Sequence, residues 1–232
     1  MEFKANNNKN LTIETSSGAY DRAAIQTHFI QIGEDYVELV ENYVKPLWQE
    51  GDILAIAEKI ISLCQNNVIH KDKVKVSGLA RFLSRFATQH NSAGIGVGDV
   101  YKMQYAIDIN GGAKVFLAAV CAGFGKLVGK KGIFYDMVGD EVRGLDGFYP
   151  DVFPIYGEIG IPLPKNPVGI CNEIRDKTGI STVIIDANDF TADILGTSDD
   201  IELSEAELLE IIKDNPAGQD DQCTPFLLIR KR

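Results

Sequence analysis

Gly51-Asp52-Ile53-Leu54-Ala55-Ile56-Ala57-Glu58-Lys59-Ile60-Ile61-Ser62 anchors the reading of this chain. Gly51-Asp52 is turn chemistry, and Ile53 to Ala57 is an unbroken apolar run of strand length, which predicts a short buried strand. Thr182 to Asp186 is a second such strand and ends in an acid. Helical periods surround these two. Asp35 to Leu47 sets Val37, Val40, Val44 and Leu47 on one face, with Pro46 near its end. Val76 to Phe86 is amphipathic, with Leu79, Phe82, Leu83 and Phe86 on one side. A helical region from about Tyr101 to Val128 should break at Gly111-Gly112, and Val168 to Lys177 should end near Gly179. Ser204 to Lys213 opens with a capping box, Ser204 and Glu207.

The remaining elements are read as strands and turns. Ala23 to Ile32 roughly alternates and predicts a strand, Ile133 to Leu145 a hairpin turning at Gly139-Asp140, and Thr224 to Ile229 a final strand. Tyr149 to Pro167 holds five of the eight prolines, so it should be extended and irregular. The whole predicts an α+β protein with mixed sheets and flanking helices.

At 232 residues the chain suits one large domain or two small ones. Residues 1–18, rich in Asn, Lys and Ser, are expected to form a flexible N-terminal arm, and 19–232 the folded part. A formal charge of −10 argues against nucleic acid or an anionic membrane as the main partner. It leaves nucleotides open, provided metal ions or helix N-termini face the phosphates. Cys64, Cys121, Cys171 and Cys223 form no C-x-x-C pair, and His28, His70 and His90 offer no zinc spacing. Four scattered thiols point to a reducing compartment, so a cytoplasmic protein is expected. Residues 1–10 show no signal-peptide pattern, and the apolar run Val115 to Phe124 is too short to span a bilayer.

Several segments invite a chemical reading. Ser92 to Asp99 has alternate glycines, but no clear strand precedes them and the third glycine of a dinucleotide loop is misplaced. Gly123 to Lys131 lacks both the spacing and the hydroxyl of a P-loop. Acids at strand ends and in turns are the stronger signal. Asp186 closes an apolar strand, where a carboxylate is rigidly aimed and suits a hard cation; the same residue also fits a turn or a helix cap. Asp146 in Gly144-Leu145-Asp146-Gly147 has the same two readings. Gly218-Gln219-Asp220-Asp221-Gln222 offers flexible amides and oxygen ligands, or a plain polar turn.

Taken in order, Gly51 to Ser62, Gly144-Leu145-Asp146-Gly147, Leu163-Pro164-Lys165-Asn166-Pro167, Ile184-Ile185-Asp186-Ala187-Asn188 and Gly218-Gln219-Asp220-Asp221 with Pro225 resemble the coenzyme F-420 γ-glutamyl ligase family. The resemblance covers most of residues 20–232, and it is to a divergent branch with a central insertion at about 95–142. It implies a two-lobed fold, a homodimer, and a ligase that uses GTP with two divalent cations, Mn or Mg. In such a ligase a small-molecule carboxylate takes the γ-phosphoryl group and the amine of glutamate, or of a similar amino acid, attacks the acyl phosphate. Carried over by position, Asp146, Asp186 and Gln219 would be metal ligands. Glu58, Lys59, Ser62 and Asn188 would contact the nucleotide, with Gly218, Asp220 and Asp221 near its phosphates. The chain departs from the family at Leu63, where Lys usually follows the serine, and at Ala187, where Thr commonly follows the metal aspartate. Both departures admit an alternative: a non-catalytic nucleotide- or metabolite-binding homologue.

Overall fold

A computed structural model describes residues 2–88, 90–91, 94–150, 153–188, 191–218 and 222–232. The chain divides into two compact units: Met1–Asn67 with Pro164–Arg232, and Val68–Leu163. The first unit begins with β1 (Thr12–Thr15), β2 (Gly18–Ile25) and α1 (Tyr36–Leu39), which continues as a π-helical turn over Val40–Val44. It goes on with β3 (Ile53–Ala57) and α2 (Glu58–Cys64). The second unit holds β4 (Ile69–His70), α3 (Gly78–Ser84), β5 (His90–Asn91), β6 (Gly94–Ile95), α4 (Val100–Asn110) and α5 (Gly112–Leu127). It ends with α6 (Ile133–Val138), α7 (Asp140–Arg143), β7 (Asp146–Gly147) and β8 (Ile159–Ile161). The chain then returns to the first unit as α8 (Pro167–Thr178), β9 (Ser181–Ala187), β10 (Ala192–Thr197), α9 (Glu205–Ile212) and β11 (Phe226–Lys231). The fold is α+β.

In the first unit six strands form a mixed sheet in the order β1-β2-β11-β3-β9-β10. Every pair is antiparallel except β3 with β9. Successive side chains alternate across the sheet. On one face Ile25, Leu54, Ile56, Ile184, Phe226 and Leu228 pack against α1, its π-helical turn, α2 and α8. On the other face Tyr20, Ala55, Val183, Ile185, Leu227 and Ile229 pack against Leu208, Ile211 and Ile212 of α9. The central strands are covered on both sides, which is why Ile53 to Ala57 reads as a continuous apolar run.

Two readings shift in this unit. The strand expected from Ala23 to Ile32 lies earlier, at Gly18–Ile25, and pairs with β1 across a tight turn in which Gly18 has φ +129°. The segment expected as an arm thus contains β1. Asn6 within it donates its side-chain amide to the Ala217 carbonyl at 2.6 Å. Other elements match their expectations. Ser204 and Glu207 form the reciprocal capping box of α9, and Gly179, φ +78°, ends α8.

The second unit is built round Ala80, Leu83, Met103, Ala106, Val115, Ala118, Phe134, Val138 and Val142. The expected break at Gly111 is present, with φ +79°. The hairpin expected over Ile133 to Leu145 is instead two short helices, α6 and α7, divided at Gly139. Phe134, Val138 and Val142 recur every four residues and are all buried, so the helical period prevails over the turn signal of Gly139-Asp140. The proline-rich stretch carries a short 3-10 turn, Pro154–Gly157, and then β8. No described helix is long and apolar enough to cross a membrane.

Candidate functional site

The parallel pair β3/β9 sets the geometry of the first unit. Ala57 lies opposite Ile185, so Glu58, the first residue after β3, and Asp186, the last residue but one of β9, come to the same carboxyl edge of the parallel pair. Residues just before β11 come to this edge as well: Ala57 N–H donates to the Pro225 carbonyl at 2.9 Å, and Thr27 N–H to that of Cys223 at 2.8 Å. The approach to β11 over Cys223 to Pro225 therefore arrives where β3 ends. Carboxyl ends of parallel strands are a recurrent place for ligands, because loops and helix starts converge there.

Glu58 opens α2 and is buried; Lys59 is half-buried; Ser62, one helical turn after Glu58, is fully enclosed. Asp186 is half-buried, and the alternation of β9 places it on the Ile184 face. Directly across the antiparallel pair stands Asp193 of β10, which the sequence reading did not single out. Like charges opposite one another on neighbouring strands repel, and a divalent cation would relieve that repulsion. Asn188, the residue after β9, is bonded twice to Thr191: its Nδ2 donates to Thr191 Oγ1, and its Oδ1 accepts from Thr191 N–H, both at 3.0 Å. Gly218 has φ +81°, a left-handed backbone that strains any other residue, and a Cβ there would also meet Asn6 Nδ2 at 2.6 Å. Gln219, Asp220 and Asp221 lie outside the described residues.

Two further stretches of the resemblance are structural in this unit. Asp52, 2% exposed, is gripped by the Arg230 guanidinium through two hydrogen bonds, Nε to Oδ1 at 2.8 Å and Nη2 to Oδ2 at 2.7 Å. Asp52 keeps the Arg230 guanidinium above its ordinary range. Asn166 caps α8 by accepting from Gly169 N–H, with Pro167 in the first helical turn. Its neighbour Lys165 is tied to Gln65, just past α2, by two reciprocal hydrogen bonds of 2.8 and 2.7 Å.

Asp146 belongs to the second unit, where it opens β7 opposite Ile161. The glycines around it are dictated by packing. A Cβ on Gly144 would lie 2.5 Å from Leu163, and one on Gly147, φ +82°, only 2.1 Å from the Ile159 carbonyl oxygen. Leu145 is buried against Phe148, Tyr101 and Tyr105. Beneath this turn lies Lys102, 3% exposed. Its ammonium donates to the carbonyls of Leu145 at 2.8 Å and Arg143 at 3.1 Å. Burial pulls the Lys102 ammonium down to about 8, against the opposing pull of the Asp146 and Asp99 carboxylates. Nothing in the sequence marks Lys102, because its burial follows from how α4 packs.

The expected metal ligands thus fall in both units, Asp186 in the first and Asp146 in the second. Among the described residues, no three His, Cys, Asp or Glu side chains form a group able to hold a metal ion. The oxygen donors of Asp146 and Asp186 are of the type that hard cations such as Mg and Mn take. A separate recess, lined among others by His28, Glu34, Asp35, Glu38 and Tyr43, includes none of the residues of the family-like segments.

Residues 24–107 match the F420-0:Gamma-glutamyl ligase family. That stretch runs from β2 into α4 and contains Gly51 to Ser62 whole. Asp146 and Asp186 lie beyond it. No curated protein matches the chain.

Proposed function

We propose, from the match of residues 24–107 to the F420-0:Gamma-glutamyl ligase family, that this chain is a nucleotide- and metal-dependent amide ligase. It would join glutamate, or a similar amino acid, to a small-molecule carboxylate such as an F420 precursor. The observation that carries the site is the register of Ala57 with Ile185, which delivers Glu58 and Asp186 to one edge. A carboxylate oxygen of the acceptor attacks the γ-phosphorus of GTP, the bond to the β–γ bridging oxygen breaks, and GDP leaves. The glutamate amine then attacks the acyl carbon, inorganic phosphate departs, and the amine proton passes to a base. Two divalent cations, Mn or Mg, would neutralise the charge gathering on the transferring group.

In this reading Asp186 in the first unit and Asp146 in the second would each serve as a cation ligand, and Gln219 would be a further one. The half-buried Lys59, with Glu58 and Asn188, would contact the nucleotide, and Gly218, Asp220 and Asp221 would serve its phosphates. Ser62, one helical turn after Glu58 and buried, would complete the nucleotide contacts of α2. A homodimer is supported by the apolar side chains that α5 leaves exposed: Phe116, Leu117, Val120, Phe124 and Leu127. Cys64, Cys121, Cys171 and Cys223 form no disulfide, which supports a reducing, cytoplasmic setting.

A specific observation favours a second reading, a homologue that binds nucleotide without turning it over. Leu63, standing where the family has Lys, is buried at 2% exposure, so the chain supplies a core side chain there in place of a cation. Phosphate release from GTP with Mn, measured with and without glutamate and across a panel of deazaflavin and folate carboxylates, separates the two. Acceptor-dependent release establishes the ligase; GTP binding without turnover establishes the homologue. Absence of GTP binding overturns both.

A further inference from the structure

Asn6 carries the inference that goes furthest, and it rests on the reading above of Gly218 as a residue that serves the phosphates. Composition predicts a flexible arm over residues 1–18, yet backbone hydrogen bonds tie this segment to β2. Ala24 N–H donates to the Lys4 carbonyl at 3.1 Å and Arg22 N–H to that of Leu11 at 2.7 Å. Asn6 lies between those two anchors. Its Oδ1 accepts from Asn7 N–H at 2.8 Å, which turns the amide nitrogen the other way. That nitrogen donates its two hydrogens to the Ala217 carbonyl and to Gln222 Oε1, both at 2.6 Å. The two acceptors stand on either side of Gly218 in the chain, so one side chain from the N-terminal segment spans them.

Gly218 is held from other sides as well. Its N–H donates to the carbonyl of the buried Asn215 at 3.0 Å. The Ala217 carbonyl takes a second donor, Thr224 Oγ1, at 2.7 Å. A Cβ on Gly218 would meet Asn6 Nδ2 at 2.6 Å and Gln222 Oε1 at 3.0 Å, so Asn6 fills the room that a side chain at 218 would need. Ties of this kind order a binding segment before its ligand arrives and lower the cost of ordering it on binding. We infer that Asn6 is a positioning residue for the nucleotide: its amide joins Ala217 to Gln222 and so sets the Gly218 backbone for the phosphates.

Affinity falls in proportion to the population of the competent arrangement, so a fall to about a tenth weakens binding about 10-fold. The test is calorimetric titration of the full chain with GTP and, as the arm that lacks phosphates, with guanosine, both in the presence of Mn(II). The proteins compared are wild type, Asn6→Asp, Asn6→Ala and Ser16→Ala. Asn6→Asp keeps the shape but turns a donor into a carboxylate facing two oxygens. Should it fail to fold, Asn6→Ala, which removes the donor without adding charge, carries the same expectation. Ser16 fastens the same N-terminal segment to α9, its hydroxyl donating to Glu210 Oε2 at 2.7 Å, so Ser16→Ala controls for a loosened N-terminus alone. The expected result is GTP affinity about 10-fold or more lower in the Asn6 variants with guanosine affinity unchanged, and both unchanged in Ser16→Ala. Unchanged GTP affinity in the Asn6 variants, a parallel loss for guanosine, or an equal loss in Ser16→Ala overturns this inference and leaves the nucleotide reading standing. No GTP binding by the wild type overturns both.

Discussion

Arg230 near the end of the chain closes a two-pronged ion pair on Asp52, with contacts of 2.8 and 2.7 Å. The acid lies within the most family-like stretch of the sequence, yet it locks β3 against β11 at the edge opposite the one where Glu58 and Asp186 emerge. Asp52→Asn leaves the guanidinium of Arg230 without its charge partner. Because Arg230 is a quarter exposed, the loss is moderated by solvent, and a destabilisation of about 1–3 kcal/mol is expected in urea unfolding. GTP binding by the folded fraction should be unchanged.

Gly147 tests the packing of the Asp146 turn. Alanine there must adopt a left-handed φ and place its methyl 2.1 Å from a backbone oxygen, so the strand pair has to open. A loss of more than about 2 kcal/mol is expected for Gly147→Ala, read from thermal unfolding.

Two thiols should be inert. Burial pushes the Cys171 thiol up to about 12, and burial together with the Glu34 and Asp35 carboxylates does the same to Cys64. At pH 8 almost none of either is thiolate, the reacting form. Iodoacetamide should modify both slowly in the folded chain and quickly in urea, with modification sites read by mass spectrometry. Rapid labelling of Cys171 at pH 8 would show that the α8/β10 packing is open.

Acid stability follows from Asp214. Burial raises its carboxyl, but the hydrogen bond and charge of the buried Arg22 guanidinium outweigh that and hold it below the ordinary range. A carboxyl depressed in the folded state binds its proton later than in the unfolded chain. Its contribution is therefore complete above about pH 4 and is lost as pH falls through the folded value. Asp214→Asn should flatten the fall of stability below about pH 4 in urea titrations at stepped pH, and leave the neutral-pH slope unaltered.

Legibility in the sequence follows how local the cause is. β3, β9, the break at Gly111 and the capping box of α9 are written in neighbouring residues, and all are found as read. α6 and α7 are not, because Gly139-Asp140 carries a turn signal while burial of Phe134, Val138 and Val142 depends on the rest of the cluster. β1 lies in a polar stretch whose strand character comes from pairing with β2, a partner that composition does not reveal. At the site, an acid closing a buried strand marks Asp186 from sequence. The facing position of Asp193 needs the register of β10, and the burial of Lys102 needs the packing of α4.

Calorimetric titration of GTP in the presence of Mn(II), comparing the wild type with Asp186→Ala, bears most directly on the proposal. A carboxylate at the strand end that grips the cation meeting the triphosphate predicts binding by the wild type and a loss of at least about 10-fold in the variant, with thermal unfolding nearly unchanged. Equal affinity in the two proteins would contradict it.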